Sequence, residues 1–329
     1  MILKFFALLY RFGTGLRNRL YDRGTLSQYR SKLTVISVGN ISVGGNGKTP
    51  YVQHLAQRYL REGRRVAILL RGYGGSEIGP YQVLGSEEAS RVGDEALLHK
   101  AELGGKCPVI VARSRVAGAK YIEDADLGDL IILDDGLQHR SLARDENLVL
   151  LDISASDRGE SILSEKILPA GKLREDFDLA LTRATKLVFV RRVLSHQAEP
   201  LPEWIGRHEI LAAKPCSQFL LYPDVFVDLV SRERFALDYF VDKEVVALTA
   251  IAKPEFFFGM LQGLGLSTKR KIALADHSQF PVNLLEELNA QELPVIVTAK
   301  DAVKLGSGTF DKHKFFTLTL AASEYADQI

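Results

Sequence analysis

The segment 34–63 constrains the fold of this chain more than any other part. A β-branched run at 34–38 leads into the glycine-rich stretch 39–47, and Lys48, Thr49 and a helical pattern follow directly. A strand, a glycine-rich turn, Gly-Lys-Thr and a helix are the arrangement of a phosphate-binding loop, where backbone N–H groups converge on phosphate oxygens. The lysine would reach the β- and γ-phosphates, and the threonine hydroxyl would bind Mg²⁺. The predicted nucleotide-binding residues are Ser42, Val43, Gly44, Gly45, Asn46, Gly47, Lys48 and Thr49.

A second apolar run, at 130–133, ends in the carboxylates Asp134 and Asp135. Four apolar residues followed by acids are typical of a buried parallel strand with polar groups at its carboxyl end. In P-loop enzymes such a strand lies beside the loop, and its acid holds or orients Mg²⁺. The acid pair is weak evidence by itself, because acids also end solvent-facing strands, but together with the loop it predicts a nucleotide site.

Strand and helix patterns alternate along the first two thirds of the chain. Further apolar runs of strand length lie at 66–70, 108–111, 148–152 and 187–190. This alternation predicts an α/β lobe with a doubly wound, mostly parallel sheet and ligands at the carboxyl ends of its strands.

A length of 329 residues favours two domains, and the end of the chain repeats the α/β alternation without a phosphate loop of its own. Strands are predicted at 244–249, 271–274 and 294–298, and helices at 255–264 and 283–289. Alternating apolar residues before them, Phe219, Leu221, Phe226 and Val227, predict a β linker. We therefore divide the chain into an N-terminal helix (1–32), a P-loop lobe (33–208), a linker (209–241) and a smaller α/β lobe (242–329).

Residues 1–32 are strongly basic, with seven Lys or Arg against Asp22 alone. Most of the large apolar side chains fall on one side of a helical wheel, which predicts an amphipathic helix. The longest apolar run, at 5–10, is far shorter than the ~20 residues that cross a bilayer. Two interpretations stay open: the helix packs on the protein's own core, or it lies in the headgroup plane of an anionic membrane.

The remaining composition excludes several classes of protein. The net charge of the whole chain is +1, so nothing indicates a nucleic-acid partner. Cys107 and Cys216 are far apart and have no neighbours at metal-ligand spacing, which excludes a disulfide scaffold and a zinc knuckle. We expect a reduced, cytoplasmic enzyme, and no obligate protein partner is indicated.

Polar clusters follow several predicted strands, at 71–74, 91–95, 113–115, 136–140 and 171–175. Phosphoryl transfer to an alcohol needs a metal, cations on the phosphates and a base for the hydroxyl proton, and these clusters supply all three. Spacing alone does not identify the base, for which Asp94 is one of several candidates.

These motifs resemble the tetraacyldisaccharide 4′-kinases of lipid A biosynthesis. The resemblance is carried by segments 20–24, 38–50, 71–74, 92–95, 133–139, 168–175, 251–257, 276–277 and 298–305. Asp-Asp-Gly-Leu-Gln-His at 134–139 and the phosphate-binding loop are its most specific parts. The chain has Lys253 where that family usually has arginine, and Ser278 where it has a second histidine.

The resemblance implies an ATP- and Mg²⁺-dependent kinase that phosphorylates the 4′-hydroxyl of a tetraacyl glucosamine disaccharide 1-phosphate. It implies two α/β/α lobes joined by a small β linker, with the acylated disaccharide lipid bound between them. It also implies a peripheral protein on the cytoplasmic face of the inner membrane, which favours a membrane surface as the partner of residues 1–32.

The resemblance further implies a role for individual residues. Asp94 corresponds to the base that takes the hydroxyl proton, and His277 to its partner in a catalytic dyad. The implied metal-side residues are Thr49, Glu95, Asp134 and Asp135. The implied contacts with substrate or phosphates are Arg71, Tyr73, Arg115, Gln138, His139, Arg174 and Glu175.

Two other functions compete with the kinase hypothesis. A P-loop GTPase or ATPase switch, or a metallochaperone-type NTPase, uses a similar loop, and the segment 298–301 is close to a guanine-recognition motif. A membrane-binding ATP sensor would explain the helix and the loop, but it would leave Asp94, His277 and the second lobe without a task.

Overall fold

The computed structural model describes residues 2–155, 159–305 and 314–327. Its helices are α1 (Ile2–Asp22), α2 (Lys48–Arg61), α3 (Ala89–Val92), α4 (Asp94–Leu103), α5 (Arg115–Asp124), α6 (Phe177–Thr182), α7 (Glu203–Arg207), α8 (Glu209–Ala212), α9 (Pro254–Gly263), α10 (Val282–Ala290) and α11 (Ala299–Ala302). Its strands are β1 (Thr34–Asn40), β2 (Val66–Leu70), β3 (Tyr81–Gln82), β4 (Val109–Val111), β5 (Leu130–Asp134), β6 (Glu146–Asp152), β7 (Lys186–Arg192), β8 (Cys216–Asp228), β9 (Arg234–Phe235), β10 (Glu244–Thr249), β11 (Ser267–Ala273), β12 (Val295–Thr298) and β13 (Phe315–Asp327). Short 3₁₀ turns cover Gly104–Lys106, Glu160–Ser164 and Leu237–Phe240.

The described strands form one continuous sheet in the order β11-β10-β12-β13-β8-β7-β6-β1-β5-β2-β4-β3, with β9 paired to β8. Neighbouring strands are parallel except β3–β4, β8–β9 and β8–β13. The prediction of an α/β fold with a mostly parallel sheet is therefore confirmed. Strand β1 lies between β5 and β6, so the loop after β1 and the acids at the end of β5 leave the same edge of the sheet.

The predicted strands of the first lobe occur within two residues of their expected bounds. In the second lobe β11 is an exception, because it begins at Ser267, four residues before the predicted start. This strand lies at the end of the sheet order and carries the exposed cations Lys269, Arg270 and Lys271. Charged residues are common on edge strands, where they discourage pairing with other chains, and they conceal the strand pattern in the sequence.

The stretch 209–241, predicted as a β linker, contains the 13-residue strand β8. Strand β8 pairs in parallel with β7 on one side and antiparallel with β13 on the other. The sheet therefore continues from the first lobe into the second without a break. Strand β13 lies between β8 and β12, so β8 and β13 together connect the two parts of the sheet. The division at 208 and 241 stays a prediction.

The central strands are buried on both faces, which explains their continuous apolar sequences. Every residue of β2 and β5 is buried. Helix α2 covers one face with Tyr51, Val52, Leu55 and Ala56, whose spacing forms a single apolar stripe. The second lobe has apolar clusters of its own on both faces of β10 and β12.

Helix α1 is held to the first lobe mainly through its second half. Asn18 is buried, and its Nδ2 donates to Glu175 Oε2 at 2.9 Å. Arg140 donates to the Asn18 carbonyl at 2.9 Å and pairs with Asp22 at 2.6 Å. The large apolar side chains nearer the start of the helix are exposed: Leu3, Phe5, Phe6, Leu8, Leu9, Tyr10, Phe12 and Leu16. Packing on the protein's own core therefore does not describe this part of α1. Within the described ranges, none of the helices has both the length and the apolar character that a membrane crossing needs.

Candidate active site

A cleft of about 1010 Å³ lies between the predicted lobes 33–208 and 242–329, bounded by the loops that follow β1, β2 and β5. Most of the predicted site residues line it: Val43, Gly44, Gly45, Asn46, Gly47, Lys48, Thr49, Arg71, Tyr73, Glu95, Arg115, Asp134, Asp135, Gln138, His139, Arg174 and His277. Tyr10 and Arg17 of α1 line the cleft as well. Ser42, Asp94 and Glu175 are predicted site residues that are not among the residues lining it.

The phosphate-binding loop ends at Gly47, which caps α2 in the left-handed conformation with φ +76°. A Cβ at this position would lie 2.8 Å from Val190 Cγ1, so both backbone and space require glycine. The N-terminal N–H groups of α2 follow immediately, at the end of the helix that attracts anions. Lys48 Nζ lies 3.3 Å from Asn40 Oδ1 and 3.7 Å from Asp135 Oδ1, which holds the ammonium group beside the loop.

Side chains brace the loop from within. Asn40 Nδ2 donates to the Ser42 carbonyl at 2.6 Å, and Asn46 Nδ2 donates to Ser42 Oγ at 2.9 Å. Arg192 Nη2 donates to the Gly45 carbonyl at 2.8 Å. Ser42, which stands where the usual pattern has its first glycine, therefore engages the loop with both its backbone and its hydroxyl.

Asp152 joins this loop to the second lobe. Its Oδ2 accepts from Arg192 at 2.8 Å and from Lys253 Nζ at 2.7 Å, and Lys253 Nζ also lies 3.3 Å from Asn46 Oδ1. Burial by itself raises the pKa of Asp152, but the charges of Arg192 and Lys253 outweigh it and lower the pKa to about 2. Lys253, the departure from the family arginine, is thus a contact between the lobes.

Asp94 and His277 meet across the cleft. Asp94 is the first residue of α4, His277 follows β11 in the second lobe, and His277 Nδ1 lies 3.0 Å from both carboxylate oxygens of Asp94. An ionised carboxylate only accepts, so Nδ1 carries the proton. The backbone of His277 is left-handed, with φ +62°, and its ring contacts Tyr73 edge to face at 5.1 Å. Non-glycine residues held in this conformation concentrate at functional sites.

Two lysines of the second lobe, which sequence analysis did not assign to the site, surround this pair. Lys300 Nζ lies 3.2 Å from His277 Nε2 and 3.7 Å from Asp94 Oδ2. Lys304 Nζ, almost fully buried, also lies 3.7 Å from Asp94 Oδ2. Burial alone raises the pKa of Asp94, but the hydrogen bond from His277 and the lysine charges outweigh it and hold that pKa below its ordinary value. Both lysines lie in the 298–305 motif, and this is the feature of the sequence from which their place in the site could have been predicted.

Glu95 and Asp134 form an acidic pair beside the loop, in which Asp134 is buried and Glu95 is half-buried. Asp134 Oδ2 accepts from His99 Nε2 at 2.9 Å, whereas Oδ1 is buried and has no hydrogen-bond partner among the described residues. Burial, reinforced by the charge of Asp134, raises the pKa of Glu95. His99 belongs to none of the motifs found in the sequence.

Asp135 has a different environment from Asp134. Arg174 Nη1 donates to it at 2.7 Å, and Lys48 Nζ lies 3.7 Å away. Burial raises the pKa of Asp135, but the charges of Lys48 and Arg174 outweigh it and lower that pKa below its ordinary value. In the ranges that the structure describes, no cluster of three or more His, Cys, Asp or Glu side chains stands ready to hold a metal ion.

Arg115 is 2% exposed, and its guanidinium is only partly satisfied. Nη1 donates to the Ala112 carbonyl at 2.7 Å, while Nε and Nη2 have no partner within the described part of the chain. Burial lowers the pKa of Arg115 to about 10, so the group stays charged at neutral pH. Burial and the charge of Arg115 lower the pKa of His139 to about 4, so the imidazole of His139 is uncharged at neutral pH. A buried cation with free donors on a cleft is suited to an anionic ligand.

Glu175 supports the cleft from behind. It is buried and accepts from Asn18 at 2.9 Å, Gln138 at 3.1 Å and Arg183 at 2.5 Å. Arg17 of α1 donates to the Gln138 carbonyl at 3.2 Å. Glu175 thus connects α1 to a residue that lines the cleft.

The family model described as LpxK, tetraacyldisaccharide-1-P 4′-kinase, matches residues 1–328. This chain belongs to that family. It is 37% identical over 310 residues to the tetraacyldisaccharide 4′-kinase of Aeromonas hydrophila, covering 93% of this chain and 84% of that protein. It is 35% identical over 300 residues to the tetraacyldisaccharide 4′-kinase of Francisella philomiragia, covering 90% and 87% of the two chains. Its structure is similar to that of LpxK from Aquifex aeolicus in complex with ATP, with 29% identity, a TM-score of 0.76 and coverage of 97% and 93%.

The guanine-recognition hypothesis does not agree with the placement of Asp301. This carboxylate is fully buried in the second lobe and accepts from the hydroxyls of Thr249 at 2.6 Å and Thr298 at 2.7 Å. Thr298 caps the start of α11 by accepting from the Asp301 N–H, and Asp301 is not among the residues that line the cleft.

Proposed function

We propose that this chain transfers the γ-phosphoryl group of ATP to the 4′-hydroxyl of a tetraacyldisaccharide 1-phosphate, the reaction for which its family is named. The observation that carries this proposal is one cleft with a phosphate-binding loop on the first lobe and the Asp94–His277 pair across it. Transfer to an alcohol needs both a phosphate cradle and a proton acceptor.

The nucleotide triphosphate lies along residues 42–49, with its oxygens on the N–H groups of the loop and of α2. Lys48 contacts the β- and γ-phosphates. Arg115 uses its two free donors, and Arg71 and Arg174 stand near enough to the cleft to contact phosphate oxygens of either substrate. Such fixed cations stabilise the charge on the transferred group without reorganising during the reaction.

Asp94 takes the proton of the attacking hydroxyl. Its lowered pKa keeps it ionised at neutral pH, and His277, which donates through Nδ1, orients the carboxylate. Lys300 donates to His277 Nε2 and so fixes the imidazole in the tautomer with its proton on Nδ1. The base therefore depends on groups from both proposed lobes, 33–208 and 242–329.

The acidic pair fits a divalent cation. Asp134 Oδ1 is a buried acceptor without a partner among the described residues, and burial together with the charge of Asp134 raises the pKa of Glu95. The unpartnered oxygen of Asp134 and the raised pKa of Glu95 are two features expected of carboxylates that lie close together and bind a cation between them. Thr49, Glu95 and Asp134 would hold Mg²⁺, while Asp135, already paired with Arg174, positions Lys48. When bound, Mg²⁺ neutralises the charge of the phosphates; this ion usually takes few protein ligands beside phosphate and water.

We also propose that α1 places the enzyme at a membrane surface, on the cytoplasmic face of the inner membrane. Its exposed side chains include Leu8 at 64% and Phe12 at 69%, and its cations would each contribute about 1 kcal/mol of attraction to anionic lipid. Since Tyr10 and Arg17 of the same helix line the cleft, a lipid headgroup at this surface would lie at the mouth of the cleft that holds His277.

The direct test incubates the purified chain with Mg·ATP and a tetraacyldisaccharide 1-phosphate in mixed micelles. Mass spectrometry should detect the lipid with one added phosphate, and the Asp94→Asn variant serves as the matched control. Release of inorganic phosphate without a phosphorylated lipid would contradict the proposal and favour an NTPase switch.

A further inference from the structure

His99 is a fully buried histidine on α4, one turn after Glu95. Its Nε2 lies 2.9 Å from Asp134 Oδ2, and the Asp134 side chain is only 1% exposed. The hydrogen bond therefore joins the helix that carries Asp94 and Glu95 to the end of β5. None of the nucleotide or substrate contacts proposed above involves His99.

The chemistry of the two groups fixes the direction of the bond. An ionised carboxylate only accepts, so His99 Nε2 is the donor of this bond. His99 Nδ1 has no hydrogen-bond partner in the described part of the chain. The imidazole thus donates to one of the two carboxylate oxygens.

Holding one oxygen determines what the other does. With Oδ2 fixed by His99, rotation of the Asp134 carboxylate is restricted, and Oδ1 is left as the free acceptor. Oδ1 is the buried atom without a partner among the described residues. A carboxylate that offers one oxygen to a cation and is held through the other is the usual arrangement around protein metal sites.

We propose that His99 is a positioning residue of the magnesium site, which orients Asp134 so that Oδ1 is presented to the cation. This inference rests on the proposed function, in which Thr49, Glu95 and Asp134 hold Mg²⁺. Removing a hydrogen-bond partner of a metal ligand typically weakens metal affinity about 10- to 100-fold. A purely structural His99 would change the free energy of unfolding and leave the metal affinity unaltered.

The experiment compares three substitutions in the full chain: His99→Leu, which removes the donor, His99→Asn, whose donor is too short to reach, and His99→Gln, whose Nε2 reaches nearly as far as that of histidine. Each protein is saturated with the non-hydrolysable ATP analogue AMPPNP, and bound Mn²⁺ is measured by electron paramagnetic resonance. Affinity for AMPPNP in EDTA is measured by calorimetry. The matched control is His208→Leu, because His208 also pairs with a carboxylate, Asp178 at 3.1 Å, outside the cleft.

We expect the Leu and Asn variants to bind Mn²⁺ about 10- to 100-fold more weakly, with unchanged affinity for metal-free AMPPNP. The Gln variant should recover most of the affinity, and His208→Leu should match the wild type. If the Leu variant does not fold, the Asn and Gln variants decide the question by the same comparison. Equal Mn²⁺ affinity in the wild type and the Asn variant would overturn the role of His99 while leaving the kinase proposal intact. A wild-type protein that binds AMPPNP but no Mn²⁺ would overturn the metal site itself, and His99's role with it.

Discussion

His277 Nδ1 lies 3.0 Å from both carboxylate oxygens of Asp94, although the two residues belong to opposite sides of the cleft. Asp94 begins α4 beside the phosphate-binding loop, and His277 follows β11 near the other end of the sheet. The environment of the proposed base is therefore complete only while the two sides are together. This arrangement would make proton transfer depend on closure of the cleft over the substrates.

The first prediction concerns this pair. Asp94→Asn keeps the shape but removes the charge, and His277→Asn tolerates the left-handed backbone at φ +62°. We expect each to lower kcat by about 10²- to 10⁴-fold, because general base catalysis contributes roughly that factor. The kcat of the double variant should be little lower than that of the less active single variant, since the two residues act as a unit. Calorimetry should detect unchanged ATP affinity in all three; independent, multiplying losses would contradict a dyad.

The second prediction separates two glycines of the phosphate-binding loop. Gly47→Ala forces a left-handed backbone on alanine and brings its Cβ to 2.8 Å from Val190 Cγ1, so we expect at least about 10-fold weaker ATP binding. Gly45→Ala is the matched control, because a Cβ there meets only Ala252 Cβ at 3.8 Å. Its ATP affinity should stay within about threefold of the wild type. Similar losses in both variants would mean that any added methyl group disturbs the loop.

The third prediction tests Lys300. Its charge is among the causes that lower the pKa of Asp94, so Lys300→Met should raise that pKa. Because the base must be ionised, activity falls as pH drops through this pKa, and the acidic limb of the pH–kcat profile should move to higher pH. His277 and Lys304 also face Asp94 and remain in the variant. Lys300→Arg should restore much of the wild-type profile. Lys269→Met, on the exposed edge strand of the same lobe, is the control; an identical shift there would indicate a general charge effect.

The part of the fold that the sequence predicts well is the part built from continuous apolar strands. Such runs are buried on both faces, as at 66–70 and 130–134, and their patterns do not depend on distant partners. The return strand β13 was not predicted, because its last residues alternate small and polar side chains, including Glu324. That half-buried carboxylate accepts from Lys186 at 2.8 Å and from Ser217 at 2.7 Å, contacts that only the fold creates.

The candidate site divides in the same way. The phosphate-binding loop has local spacing rules, so residues 42–49 could be assigned from the sequence. His99 and Asp152 could not, because each acquires its role from a partner about 35 or more residues away, Asp134 for the first and Lys253 for the second. Lysines such as Lys300 are also mostly solvated in proteins, so its place in the 298–305 motif did not by itself identify its contact with the imidazole.

A fourth prediction follows from the pKa of His139. In the folded state this pKa is lowered to about 4, whereas the ordinary value is 6.5. Between these pH values the unfolded chain binds a proton that the folded chain does not, so the free energy of unfolding falls as pH drops from 6.5 to 4. The contribution of this residue, up to about 3 kcal/mol, should be present above pH 6.5 and disappear toward pH 4. Urea unfolding of His139→Gln should display a correspondingly weaker dependence over that range, and a dependence equal to that of the wild type would contradict it.

The last prediction concerns α1 and a membrane surface. Leu8 and Phe12 are 64% and 69% exposed, so replacing both with serine should leave the free energy of unfolding unchanged within about 0.5 kcal/mol. Each side chain would otherwise contribute about 1.5–3 kcal/mol when buried in lipid, so we expect at least about 10-fold weaker binding to vesicles that contain anionic lipid. Sedimentation of the protein with such vesicles measures this directly, and calorimetry should give unchanged ATP affinity. Val282→Ser is the control, because Val282 is 69% exposed on α10 of the second lobe. Vesicle binding that survives the α1 substitutions, or that falls equally in the Val282 variant, would locate the membrane contact elsewhere on the protein.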